Sequence, residues 1–468
     1  MDIPVFHVDF LNDRLLIALC AIVHVVINHA MAVGGIPLVA LLEWRAWRSG
    51  DPDADAAARR IMSVFFVVTT TAGALSGVGI WFSTGLVNPY AIGSLLRVFF
   101  WTWFVEWLVF VTEVGLILAY TLTWPRWTGA RKRAHVRLGF ALGLASWVTM
   151  ALIVSILGFM MDPGAWRTDK TLLSGMLNPL YLPQLAFRTP LAMVMAGAAG
   201  LLLVRWAAGA RPDLRRSMTR AIALWTLAWL PLCLAGGTWY ARALPPSMAA
   251  NVPTALVTQR LVAWSHQALG ALALLVALVA SIATWCALRP TTVARGALAI
   301  PLLACVALVG TFERVREFIR KPYAIADYLY ANGYRKDDYP LLNRDGLLAR
   351  ATYASVREIT PDNRVEAGRE VFRLACTRCH TVDGVNGIRG ALHGLYGEAP
   401  WDADAIAAYV ASMHVARPFM PPFPGSDGER AALGCYLSTL EHHRDTLEGA
   451  QSAGAATSPQ APRVAGAL

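Results

Sequence analysis

The sequence predicts an all-α protein: a polytopic transmembrane helix bundle of about eight spans, followed by a small α-helical domain. Three observations predict it. The 468 residues are 56% hydrophobic with a mean hydropathy of +0.46, too apolar for a water-soluble domain of this length. Eight apolar windows of membrane-spanning length fill the first two thirds of the chain. Beyond the last of them stands a compact cysteine and histidine motif, Cys376-Thr377-Arg378-Cys379-His380.

The apolar windows lie near 15–42, 61–84, 95–122, 138–161, 190–209, 221–240, 261–287 and 297–312. An even number of spans puts both termini on one side. Lys and Arg in short loops set orientation. Loops 43–60, 123–137, 205–220 and 288–296 hold 16 of them, whereas 85–94, 162–190 and 241–260 hold five. The basic loops are therefore expected in the cytoplasm and both termini on the periplasmic side of a bacterial inner membrane. The net charge of +10 then needs no nucleic acid, because a run such as Arg131-Lys132-Arg133 serves as a topology signal. Residues 1–13 have no basic start and no small-residue cleavage site, so the first span is expected to insert and stay. Cys20, Cys233, Cys286 and Cys305 lie in spans as small hydrophobes, and Cys435 is expected in the core of the last helix.

CxxCH is the attachment signature of a covalent haem c. Cys376 and Cys379 are spaced to form thioethers to the haem vinyls, and His380 falls under the iron as proximal ligand. A bare CxxC would also suit a redox or zinc pair, but the following His and the helical lead-in 364–374 favour haem. Met420, in the proline-held Phe419-Met420-Pro421-Pro422-Phe423, is the chosen sixth ligand; Met413 and His414, in the helix expected at 402–414, are its rivals. Residues 364–440 resemble a class I single-haem cytochrome c domain, with a closing helix at 427–440.

Ionisable residues inside spans are functional suspects. His24 and His29 stand five residues apart in the first span, on different faces, and each is a candidate haem b ligand or a packing His. Glu106 and Glu113 lie a heptad apart in the third span, nearly on one stripe, among Trp101, Trp103 and Trp107. They suggest a proton path or a haem-edge carboxylate; the alternative is a pairing with a buried Arg such as Arg97. The tryptophans suit an interfacial belt. His266 opens the seventh span as another haem ligand or a satisfied interfacial His. After the eighth span, 312–323 packs six charges ahead of Pro322 and Tyr323.

Several of these segments resemble subunit I of the cytochrome bd quinol oxidases. Ala18 to His24 looks like that family's first helix, whose His ligates a high-spin haem. Gly73-Ala74-Leu75-Ser76-Gly77 through Gly85 is similar to its second helix. The two glutamates match its carboxylate helix, with Glu113 fitting better than Glu106 because the spacing differs by one. Glu317-Phe318-Ile319-Arg320-Lys321-Pro322-Tyr323 resembles its Glu-aromatic-Gly-Arg-Gln-Pro-Trp motif, which implies Glu317 as a second haem ligand and Arg320 as a propionate partner. The departures concern the low-spin haem. After Leu177-Asn178-Pro179, Phe187-Arg188 stands where the family has its His ligand, and the family's Met ligand falls near Leu269. The outer loop that helps bind quinol is shortened to about 241–260.

The resulting expectation is one covalent haem c and two non-covalent haems b, or b and d, with a third open. The leading function is a bd-like terminal reductase fed through its own haem c and reducing oxygen or a similar small oxidant. The alternatives are a quinol-to-cytochrome conduit and a haem-bearing subunit of a larger respiratory complex without its own catalytic site. Expected partners are a second membrane subunit of the bd subunit II type and a redox cytochrome on the outer face, with quinone possible as well. The expected divisions are 1–322 membrane domain, 323–363 connector, 364–442 cytochrome c domain and 443–468 disordered tail.

Overall fold

The computed structural model describes residues 4, 6–258 and 265–442, with side chains left undescribed at 257–258 and 265–268. The expected tail at 443–468 lies outside the described residues, as does the 261–264 start of the seventh apolar window. Among the described residues, eight helices are long and apolar enough to cross a membrane: Asp13–Ser49, Pro52–Val87, Pro89–Thr123, Gly129–Met161, Tyr181–Ala207, Pro212–Arg242, Leu269–Leu288 and Gly296–Ile319. They are called spans 1 to 8 below. The chain is a membrane protein.

Local chemistry sets several boundaries. Asp51 caps span 2, its carboxylate accepting from the backbone N–H groups of Asp53 and Ala54 at 2.9 and 3.2 Å, with Pro52 at the first helical position. Span 1 contains a π-helical turn, Asn28–Val33, directly after His24. At its end Gly34 lies against span 5, where a Cβ would come within 2.1 Å of the Ala192 carbonyl oxygen; only glycine lets the two backbones approach so closely.

The described residues divide into two compact units, one within 18–82 and 92–326, the other within 4–17, 83–91 and 327–442. In the first, Ile36, Leu38, Ile61, Phe65, Leu142, Met195, Leu201 and Ile222 are fully buried in one core. Span 5 is the most enclosed helix, whereas span 3 turns Phe100, Trp101, Phe104, Trp107 and Phe110 outward. In a protein read as membrane-embedded such a face meets lipid or another membrane chain.

The second unit is built on a core of Val371, Phe372, Trp401, Ile406, Leu433, Tyr436 and Leu440. Its main helices are Arg364–Ala375, Ile388–Tyr396, Ala403–Ala416 and Asp427–Thr439. Ser426 and Glu429 form a reciprocal capping box at the start of the last. Glu429 also accepts from the backbone N–H groups of Leu347 and Leu348 at 2.8 and 2.6 Å, tying in the short helix Leu347–Arg350. The stretch read as a connector carries two short strands, Tyr323–Ile325 and Leu329–Tyr330, and three short helices, one of them 3-10. Cys435 is half-buried rather than core.

Candidate functional site

The CxxCH motif begins where helix Arg364–Ala375 ends. The Cys376 carbonyl accepts from the backbone N–H groups of Cys379 and His380 at 3.0 and 2.9 Å, curling the motif into one tight turn. His380 Nδ1 lies 3.1 Å from the Asn386 carbonyl oxygen. A carbonyl can only accept, so Nδ1 carries the hydrogen and Nε2 keeps its lone pair for a metal. Asn386, in the left-handed region at φ 60°, is held by donating its side-chain amide to the Cys379 carbonyl at 2.6 Å.

Met420 follows the helix Ala403–Ala416. Its carbonyl lies 2.5 Å from His414 Nδ1 and its N–H donates to the Arg417 carbonyl at 2.8 Å. His414 therefore holds the Met420 loop, and Met413 packs against the domain core, which leaves Met420 as the thioether on a loop. The N-terminal arm joins the same unit: Val385 N–H donates to the Phe10 carbonyl at 3.1 Å, and Arg14 Nη1 lies 3.8 Å from Cys379 Sγ. Arg378 is buried, with its guanidinium over the Tyr334 ring and Nη1 donating to the Leu374 carbonyl at 2.6 Å. Burial pushes the Tyr334 phenol up to about 12, so it stays a neutral donor to that carbonyl. Two thiols, an imidazole of fixed tautomer and a thioether on a braced loop fit a covalent haem.

In the membrane bundle, the structure puts the suspected residues into separate hydrogen-bonded groups. His24 Nδ1 lies 3.1 Å from the Gly73 carbonyl oxygen, so by the same reasoning Nε2 offers its lone pair; Asn28 Nδ2 is 3.3 Å from it. The ring rests on Gly77, where a Cβ would come within 2.9 Å of Cε1. This imidazole fits an iron ligand. His29 lies in the π-turn, buried, and its Nε2 has no hydrogen-bond partner among the described residues.

Glu113 is paired with hydroxyls and not with Arg97: Oε1 accepts from Ser146 at 2.5 Å and Oε2 from Thr149 at 3.2 Å. Glu106, two turns earlier, is half-buried. Trp101 and Trp107 are exposed, while Trp103 packs edge-on against Trp81 with ring centroids 4.3 Å apart. Glu317 pairs with Arg320, whose Nη1 donates to the Ala324 carbonyl at 3.0 Å. The pairing sets a cation beside that carboxylate. His266 lies in the helix Ser265–Leu288, but its side chain is outside the described residues.

Sequence reasoning missed two groups. Arg188 is buried and donates from Nη2 to Glu313 Oε1 at 2.6 Å; Glu313 Oε2 accepts from Arg316 Nε at 2.8 Å. Phe312 lies against the Arg188 guanidinium and packs at a tilt against Phe187 and Tyr240. The signal was present as Glu313 and Arg316 in the charge run, but their partner lies 125 residues away from Glu313. The second group, around Glu43 and His135, lies at the far ends of spans 1 to 4.

Residues 13–252 match the family model for cytochrome bd terminal oxidase subunit I, and residues 363–437 match that for cbb3-type cytochrome c oxidase subunit III. The fold is similar to the solved bd oxidase from Geobacillus thermodenitrificans, with a TM-score of 0.58 and 16% identity, covering 66% of this chain and 87% of that one. No curated protein matches the sequence.

Proposed function

Because this chain belongs to the cytochrome bd terminal oxidase subunit I family, with a cytochrome c domain appended, we propose that it is a terminal reductase supplied through its own haem c. It is a haem-binding respiratory electron-transfer protein of the membrane; the finer reading concerns donor, acceptor and haem count. When bound, the haems carry the electrons, and an iron with an open position takes the small oxidant.

The observation that carries the reading is the buried Arg188–Glu313 pair at 2.6 Å. An imidazole ligand for a low-spin haem is replaced there by a guanidinium, which has no lone pair to give a metal. The family's route from quinol is thereby weakened, and Cys376, Cys379, His380 and Met420 supply another. His24 offers Nε2 from span 1, and Glu317 offers a carboxylate with Arg320 beside it for a propionate. Two haems b, or one b and one d, follow from these two ligands, with haem c as the third group. Glu113, both of whose oxygens accept hydroxyl hydrogens, is the residue we assign to proton delivery, with Glu106 beyond it.

Glu106 also bears on the partner. Against lipid a half-exposed carboxylate on span 3 is costly, and Trp101, Phe104 and Trp107 of the same helix are exposed. A second membrane subunit of the subunit II type would cover both. Charge in the short loops supports placing the cytochrome c domain on the outer side, where a soluble or membrane cytochrome would reduce it.

A second reading, a quinol-to-cytochrome conduit, rests on His29, whose buried Nε2 lacks a partner among the described residues. Spectra of the protein purified from membranes separate the two. A high-spin band that shifts with carbon monoxide, with two haems b or b and d per haem c, followed by oxygen consumption from reduced cytochrome c, is expected. Low-spin b and c signals without that shift would overturn the reductase and leave the conduit.

A further inference from the structure

Four spans bring five titratable side chains together at the end of the bundle that carries the basic loops. Glu43 comes from the last turns of span 1, Asp55 from the first turn of span 2, Tyr120 from the last turn of span 3, and Lys132 and His135 from the start of span 4. Glu43, His135 and Tyr120 are fully buried. Glu43 Oε1 lies 2.5 Å from His135 Nδ1 and 2.6 Å from Lys132 Nζ, while Oε2 accepts from the Tyr120 hydroxyl at 2.6 Å. Lys132 Nζ is also 2.6 Å from Asp55 Oδ1, and Trp124 Nε1 donates to Asp55 Oδ2 at 3.0 Å. Asp55 is the member in reach of water, with its side chain 30% exposed.

The second nitrogen of His135 fixes where protons sit. Nε2 is 2.8 Å from the Tyr120 carbonyl oxygen, which can only accept, so Nε2 carries a hydrogen. Without a further proton, Nδ1 and Glu43 Oε1 would then face each other lone pair to lone pair across 2.5 Å. One proton must therefore be shared between them, as imidazolium beside carboxylate or as imidazole beside carboxylic acid. With it the cluster of Glu43, His135, Lys132 and Asp55 is neutral. Without it a net negative charge would be left in a buried site, which is costly.

We propose that the Glu43–His135 pair is a proton store that is filled from water through Asp55 and Lys132 and empties through Tyr120 toward Glu113. The proposal rests on the reading of Glu113 as the proton-delivering carboxylate. Glu106, Glu113 and Tyr120 recur every seven residues along span 3, so they stay on one stripe with a drift of about 20° per heptad, and Tyr120 stands ~10.5 Å from Glu113 by helical rise. Facing Tyr120, span 4 presents Gly139, where a Cβ would come within 2.9 Å of the phenol oxygen. The transfer balances without electrons. Glu43 gives its proton to the Tyr120 oxygen, the phenol hydrogen passes to a water in the interval, and that water protonates the Glu113 carboxylate. Tyr120 ends neutral, and a proton from bulk water, relayed through Asp55 and the Lys132 ammonium, refills the pair.

The test counts protons taken up when the full-length, haem-loaded protein is reduced with dithionite in unbuffered detergent solution containing a pH-indicating dye. Relative to the unmodified protein, Glu43→Gln and Tyr120→Phe are both expected to reach the same total several-fold more slowly, and Glu113→Gln to take up one proton fewer. Tyr120→Phe removes one hydroxyl from the cluster, so it keeps the test decisive if Glu43→Gln fails to fold. Normal amount and rate in both variants, with Glu113→Gln impaired, would overturn the store while leaving the Glu113 reading intact. Impairment in both variants with Glu113→Gln normal would keep the store and overturn its destination.

Discussion

The cytochrome c domain and the membrane bundle both orient a histidine by giving Nδ1 to a backbone carbonyl, but they find that carbonyl in opposite ways. His380 uses Asn386, six residues on, whereas His24 uses Gly73, 49 residues away on the next span. Buried charges in the bundle reach farther still: His135 meets Glu43 across 92 residues and Arg188 meets Glu313 across 125. The small domain thus fixes the imidazole of its CxxCH motif within one short stretch of chain. The bundle can complete its sites only when whole spans have docked, so in it ligand geometry and helix packing are one problem.

The largest expected effect tests the independence of the local site. Cys379→Ala removes one thioether sulfur from the turn that presents His380, and haem-dependent staining of the chain on a denaturing gel is expected to fall sharply. Spectral bands of the non-covalent haems should persist. Their loss in the same variant would break the comparison by showing that the bundle sites depend on the covalent one.

Next comes the charge network. Glu313→Leu leaves the buried Arg188 and the partly buried Arg316 without their anion, and breaking a buried pair costs about 3–5 kcal/mol. Arg188→Met is expected to cost less, because Glu313 keeps Arg316 at 2.8 Å. Thermal unfolding in detergent, followed by near-ultraviolet circular dichroism, reads the order of the two. Equal losses would mean that Arg188 and not Glu313 is the hub.

These two regions were unequally legible in the sequence. CxxCH is contiguous and chemically specific, so Cys376, Cys379 and His380 stood out together in the sequence, and the prolines after Met420 marked a loop. Hydropathy located the spans because each must bury a whole bilayer's width of side chains. It also hid the Glu43–His135 group. The apolar windows at 15–42 and 138–161 stop short of both residues, yet the helices continue to Ser49 and begin at Gly129. Polar residues on a helix that runs past the apolar window look like loop residues, and only packing reveals that they are buried. The Arg188–Glu313 pair escaped for the related reason that no short window contains both partners.

A smaller effect sharpens the account of the non-local site. His24→Ala removes the Nε2 lone pair and is expected to lower the haem b content of the purified protein. Gly77→Ala keeps the ligand but puts a methyl 2.9 Å from Cε1, so the ring must tilt against span 2. The expected result is normal haem content with a displaced absorption band. An unshifted band would show that the ring does not rest on Gly77 when ligated.

The smallest expected effect returns to the local domain. Ser426 caps helix Asp427–Thr439 by accepting from the Glu429 N–H at 3.3 Å, while Glu429 Oε2 accepts from the Ser426 N–H at 2.9 Å. Replacing an N-cap serine with alanine costs about 1 kcal/mol. In this domain the loss should stay local, because Glu429 retains the Leu347 and Leu348 N–H groups that hold it in place. Ser426→Ala is therefore expected to lower the unfolding temperature read at the haem c band by a few degrees, leaving the bands of the other haems unmoved. A capping loss that also shifted those bands would mean that stability, unlike ligation, is shared between the two regions, and that the C-terminal domain leans on the bundle for its fold.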